Sequence, residues 1–155
     1  MDKESNKIKL YSAQSDIVLQ IIEKDRVCYS KKEFVSKKYF ESAPIFITAY
    51  SWFVKEFAKI IPKPEKAEYP YWAFKELYNL DDSGGGNIIK LNVPLDEAIL
   101  FDLFDWNKII CMNYIGESEE DEKEFKETIK KFGLKETDIM LTNFYPELKQ
   151  KITES

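Results

Sequence analysis

The sequence predicts an α+β fold in a single domain, and three observations carry the prediction. Two short runs, Lys7–Ser12 and Asn87–Val93, alternate apolar and polar residues with the period of a half-buried strand. Between them, Phe46, Ala49, Tyr50, Phe53, Phe57 and Ile60 recur at the spacing of one helix face. After them, Glu117–Phe132 places Phe125, Ile129 and Phe132 on one side of an otherwise charged stretch. The chain has 155 residues, the size of one ordinary domain, and no repeat or linker divides it.

The elements follow in order. Ile8 and Leu10 share one face of the first strand. Ser15 is placed to cap a short helix with Ile17, Val18, Ile21 and Ile22 as its apolar stripe, ending at Asp25-Arg26. Val27–Tyr29 reads as a short strand or extended link. Ser30-Lys31-Lys32-Glu33 has the form of a capping box and opens a weaker helix through Tyr39. Ser42 and Pro44 suit the start of the long helix, and Pro62 and Pro64 suit its stop. Tyr69–Phe74 is densely aromatic and extended at Pro70. Gly84-Gly85-Gly86 reads as a hairpin loop before the second strand, which Pro94 ends. Asp96 is placed to cap a helical turn. Trp106–Met112 fits either a helix or a buried strand. Glu117–Phe132 is a helix with acids first, Lys130 and Lys131 last, and Gly133 as its C-cap. Pro146–Ile152 forms a short terminal helix.

Composition excludes several chemistries. The chain has no histidine, so no Ser-His-Asp triad, Cys-His dyad or HExxH zinc site can be built from it. The net charge is -5, and the basic residues are lysines apart from Arg26, so direct nucleic-acid binding is not expected. Cys28 and Cys111 lie in apolar neighbourhoods without a CxxC spacing and read as buried free thiols. The polar N-terminus has no apolar core of a signal peptide, and no apolar run approaches a membrane span. These features predict a cytoplasmic protein with no membrane association; they leave the oligomeric state open.

Several constellations invite chemistry. The triple glycine lacks the residues of a phosphate loop, because a strand and not a helix follows it. Asp96, Glu97, Asp102 and Asp105 lie close in sequence but match no calcium loop, and no metal site is assigned. One of these acids acting in a cleft is the alternative to helix capping and a solvated face. Glu117–Glu127 holds seven acids in eleven residues, read either as a solvated helix start or as a docking surface for a basic partner. The 23 aromatic residues divide between core packing and a cleft wall; Tyr50, Trp52, Trp72 and Trp106 are the candidates for the latter.

The order of certain short motifs resembles an uncharacterised domain family of bacteria, archaea and phages. They are Leu10-Tyr11-Ser12-Ala13-Gln14, Tyr50-Ser51-Trp52-Phe53, Tyr69-Pro70-Tyr71-Trp72-Ala73 and Leu91-Asn92-Val93-Pro94, then Leu100, Asp102 and Trp106. They span a family-like core over residues 7–113, followed by a helical part over 117–155. A weaker likeness lies in the opening strand and short helix, and in Ile89–Ala98, which is similar to the middle strand of the RNA 2′-phosphotransferases. It points to the ADP-ribosyltransferase fold, a split antiparallel or mixed sheet flanked by helices with NAD in the cleft. That likeness implies NAD against Tyr11, Ser12 and Gln14, with Tyr50, Trp52 or Trp72 stacking on the nicotinamide. Asp102 and Trp106 complete the cofactor-binding candidates. Glu97 takes the place of the catalytic carboxylate that stabilises the ribosyl cation. The family's Arg or His on the first strand has no counterpart here. The competing expectation is a non-enzymatic, acidic protein-binding module or inhibitor of a phage or mobile element.

Overall fold

The computed structural model describes residues 6–81 and 86–155. Among them, one two-stranded antiparallel sheet is accompanied by α-helices, so the chain is α+β. It divides into two compact units, each made of two chain segments: Met1–Lys32 with Val54–Leu100, and Glu33–Phe53 with Phe101–Ser155.

In the first unit, β1 (Lys7–Gln14) pairs with β2 (Asn87–Pro94) from Lys7↔Pro94 to Gln14↔Asn87. The register puts Leu10 opposite Leu91 and Ser12 opposite Ile89 on the inner face, where Leu10 and Ser12 are buried. Lys7, Lys9, Tyr11, Ile88, Lys90 and Asn92 alternate onto the outer face. Both backbone groups of Tyr11 turn away from β2: its N–H donates to the Phe74 carbonyl at 2.8 Å and its carbonyl accepts from Phe74 N–H at 2.7 Å. Phase alternation therefore makes Tyr11↔Lys90 a pair without hydrogen bonds, the closer of the two antiparallel pair types. Gly86 closes the inner end of the ladder. A Cβ there would stand 3.0 Å from the Gln14 carbonyl oxygen, and its φ of 131° is one that side chains rarely adopt. The hairpin loop expected at Gly84–Gly86 otherwise lies outside the described residues.

Helix α1 (Asp16–Asp25) ends on Arg26 in the left-handed conformation, whose N–H donates to the Ile22 carbonyl. Of its expected stripe only Val18 is fully buried; Ile17 and Ile22 are exposed. Val27–Tyr29 is not a strand. The chain instead makes a single bridge, Ser30↔Tyr69, and the Glu68 carboxylate accepts from Lys32 N–H at 2.6 Å. Glu68 thus serves the start of α2 (Lys32–Tyr39), in place of the Ser30 capping box that the local sequence suggests.

Helix α3 (Ala43–Phe57) buries Ala49, Tyr50 and Phe53 as its spacing predicts. It stops one turn early, so Ile60 is exposed. In the second unit Asp102 caps α4 (Leu103–Ile110), accepting from Phe104 N–H at 2.7 Å, which resolves the helix-or-strand ambiguity. Asp96 lies inside a 3-10 turn, Leu95–Glu97, which Pro94 precedes; it is not the cap. Ser118 caps α5 (Glu119–Lys131), and Gly133 follows with φ 70°. Phe125 and Ile129 are buried, but Phe132 is 73% exposed because the helix ends before its side chain reaches the core. A short helix not read from the sequence, α6 (Glu136–Met140), and α7 (Pro146–Glu154) complete the unit.

Its core is Phe125, Ile129, Ile139 and Ile152, from α5, α6 and α7. Ile139 is wholly buried, so Ile139→Ala leaves a cavity rather than an exposed surface. We expect it to cost about 2–5 kcal/mol, read from the midpoint of urea unfolding at unchanged slope.

Candidate functional site

The first unit gathers Tyr11, Ser12, Gln14 and Trp72. Ser12 is 2% exposed, and its hydroxyl donates to the Trp72 carbonyl at 2.7 Å. The Gln14 side-chain amide in turn donates to Ser12 Oγ at 2.7 Å. This chain satisfies a buried hydroxyl and ties the aromatic segment 69–74 to β1. Tyr11 lies on the opposite face of the strand, half-buried beside Lys90. Glu97 is exposed in the turn after β2. Tyr71 stands by Cys28; burial first, and then a hydrogen bond with the thiol, push its phenol above the usual tyrosine range.

The second unit holds the remaining candidates. Tyr50 and Trp106 have ring centroids 5.7 Å apart, and Phe53 meets Trp106 edge-on at the same separation. Phe101 packs against both Phe53 and Trp106. Tyr50 and Trp106 therefore belong to one aromatic cluster, packed in the offset and edge-on geometries that such rings favour. Asp102 is committed to the α4 N-terminus. Trp52, one turn on from the buried Ala49 and across α3 from Tyr50, is half-buried and walls a cavity of about 120 Å³. Ala49, Ile109, Met112, Ile115, Met140 and Ile152 are the other apolar residues of the wall, and four polar residues, among them Thr48, complete it. Met112 takes a left-handed backbone at φ 55° where the chain leaves α4, a strained position held by Met112 N–H donating to the Ile109 carbonyl.

Next to this cavity the acidic run divides in two. Asp121 and Glu122 turn back on the chain before α5: Asp121 accepts from Tyr114 Oη at 2.8 Å and from Glu117 N–H at 3.1 Å, and Glu122 accepts from Gly116 N–H. Gly116 leaves no room for a side chain there, since a Cβ would meet Asp121 Oδ2 at 2.6 Å. Glu117, Glu119, Glu120, Glu124 and Glu127 face solvent. The hydrogen bond to Asp121, aided by burial and by the nearby carboxylates, raises the Tyr114 phenol above its ordinary pKa.

Sequence reasoning found Trp52 but not the cavity, because Ile109, Met112, Met140 and Ile152 come from separate segments and read singly as core. Cys28 is only half-buried and Cys111 is exposed, not the buried pair expected; Cys111 caps the end of α4, where its side chain faces out. Among the described residues no three Cys, Asp or Glu side chains converge to hold a metal ion, and no helix is long and apolar enough to cross a membrane.

An α+β chain with these elements is matched over residues 9–155 by the family described as Domain of unknown function (DUF3841). The chain belongs to that family. No curated protein matches it, and no solved structure matches it.

The Tyr114–Asp121 contact is testable by titration. A phenol whose pKa is raised in the folded state contributes stability that is complete below the unfolded value near 10 and is lost as pH rises through the folded value. In a spectrophotometric titration of the nine tyrosines, Asp121→Asn should move one phenol down toward the ordinary range. Stability at neutral pH should also fall, since Asp121 holds Glu117 N–H as well. An unchanged alkaline limb in Asp121→Asn would show that Tyr114 does not feel this carboxylate.

Proposed function

We propose that this protein is a non-enzymatic binding module whose second unit takes an apolar side chain of a protein target into the cavity walled by Trp52. The cavity carries the reading. Its wall is built mainly from Ala49, Trp52, Ile109, Met112, Met140 and Ile152. Such a surface favours an uncharged anchor, and an apolar cavity of about 150 Å³ takes a benzene ring, the scale of a leucine or phenylalanine side chain. Ile115 lies on the same wall, and the exposed Glu117, Glu119 and Glu120 follow it in the chain. These carboxylates favour a target with Lys or Arg flanking the anchor. The chain's charge of -5 adds to that bias.

The test is a displayed peptide library panned on the full chain. Selected peptides should share one large apolar residue beside basic ones. Thr48→Trp, which places a ring in the cavity, should weaken them about tenfold or more while the protein remains folded by circular dichroism. Glu119→Lys with Glu120→Lys should weaken them at low salt and less at high salt. Equal binding by the filled variant and the wild type overturns the reading.

A second reading keeps an ADP-ribosyltransferase-like activity, with NAD against Tyr11, Ser12 and Gln14 and with Glu97 stabilising the cation as nicotinamide leaves. The hydrogen-bonded chain from Gln14 through Ser12 to Trp72 supports it, while Tyr11 lies on the opposite face of β1. The burial of Ser12 weighs on the other side, since a hydroxyl held by Trp72 and Gln14 is turned from an incoming ligand. Incubation with labelled NAD decides: nicotinamide release that Glu97→Ala abolishes supports this reading, and neither release nor a thermal shift by NAD removes it.

A further inference from the structure

We infer that the outer face of the β1–β2 sheet binds single-stranded nucleic acid. This concerns the first unit alone and does not rest on the reading of the second. In a chain with more acids than bases, this face carries Lys7, Lys9 and Lys90, all exposed, and no strand residue on it is a carboxylate. The pairing places them with purpose for a linear polyanion. Lys7 and Lys9 are two positions apart on β1, about 6.6 Å along the strand. Lys90 sits on β2 across from Tyr11, in the close pair type.

The lysines alone would fit any anion. The aromatic residues narrow the class. Tyr11 stands at the centre of the basic face, opposite Lys90 and half-buried. Its backbone bridges to Phe74, and residues paired across a bridge project to the same side, so Phe74 extends the aromatic surface beyond the strand edge. Ring faces flanked by phosphate-binding cations on an open sheet are what stacked, unpaired bases require. Asn92 beside Lys9 adds a donor and acceptor for a base edge or sugar. An acidic peptide would use the lysines but leave the aromatic centre without a partner of matching chemistry. The net charge of -5 does not oppose this, because at physiological salt screening limits each exposed charge to about 8 Å and the local face decides.

The experiment measures anisotropy of fluorescein-labelled oligo(dT) and oligo(U) with the full chain. We expect binding that weakens with salt with a log–log slope of about -2, the value for three contacted phosphates on a single strand. Lys9→Glu with Lys90→Glu should weaken binding about tenfold or more. Tyr11→Ala should weaken it at least about fivefold, and Tyr11→Phe, which keeps the ring, should not. Should Tyr11→Ala fail to fold, crosslinking of the wild type to 5-bromodeoxyuridine oligonucleotide replaces it; the crosslinked peptide should contain Tyr11 or Phe74. Absence of salt-dependent binding, indifference to the charge reversals, or crosslinks confined to other residues overturns the proposal. So does tighter binding of a polyglutamate peptide that displaces the oligonucleotide, which would assign the face to an acidic polypeptide.

Discussion

The pairing of Lys7–Gln14 with Asn87–Pro94 is the constraint on which the first unit depends. It joins strands about 80 residues apart, and closing a loop of that length costs on the order of 4 kcal/mol before any contact offsets it. The offset comes from fixing the register at several points. Leu10 meets Leu91 in the interior, and Ser12 is held by Trp72. At one end Gly86 permits close approach to Gln14, and Asn87 Nδ2 donates to Asp16 at 2.6 Å. At the other, Leu95 N–H donates to the Asn6 carbonyl. A slip of one residue would turn Lys9 and Tyr11 inward and Leu10 and Ser12 outward, so the same contacts that define the core also define the basic outer face.

Both strands and the four longest helices were legible in the sequence because each carries its period within one segment. Leu10, Ile89 and Leu91 declare their strand faces, and Ala49, Tyr50, Phe53, Phe125 and Ile129 declare their helix faces. Ends were less legible. Ile60 and Phe132 continue a helical spacing past the last helical turn, and spacing alone does not say where hydrogen bonding stops. The helix caps at Lys32 and Phe104 show the same divide. Asp102 lies close before Phe104, yet the sequence favours Asp96 as the cap, and Glu68 reaches Lys32 from a distant segment and leaves no local signal.

For the candidate residues the fold supplies packing partners that the sequence does not show. Ser12 and Gln14 read as cofactor contacts on sequence likeness, and the structure gives them a buried hydrogen-bond chain. Tyr50 and Trp106 read as a wall and form a packed cluster with Phe53 and Phe101. In each case a polar or aromatic residue on a core-facing position had a structural partner that only the fold reveals. Trp52 stands three positions from the buried Ala49, at the margin of the stripe, and with Ala49 it walls the cavity of the second unit.

Charge follows the same logic. The run Glu117–Glu127 suggests a single acidic surface, yet Asp121 and Glu122 are drawn inward by Tyr114 and by the N–H groups of Gly116 and Glu117. What remains on the outside is a narrower set of carboxylates on one side of α5. The sheet shows the converse: a chain of charge -5 builds a face whose charged strand residues are all lysines. Alternation in β1 and β2 sends every second side chain to the same side, so three lysines at matching parity concentrate there regardless of the total. Net charge constrains solubility and long-range approach, while the parity of a strand and the caps of a helix decide which charges a partner meets.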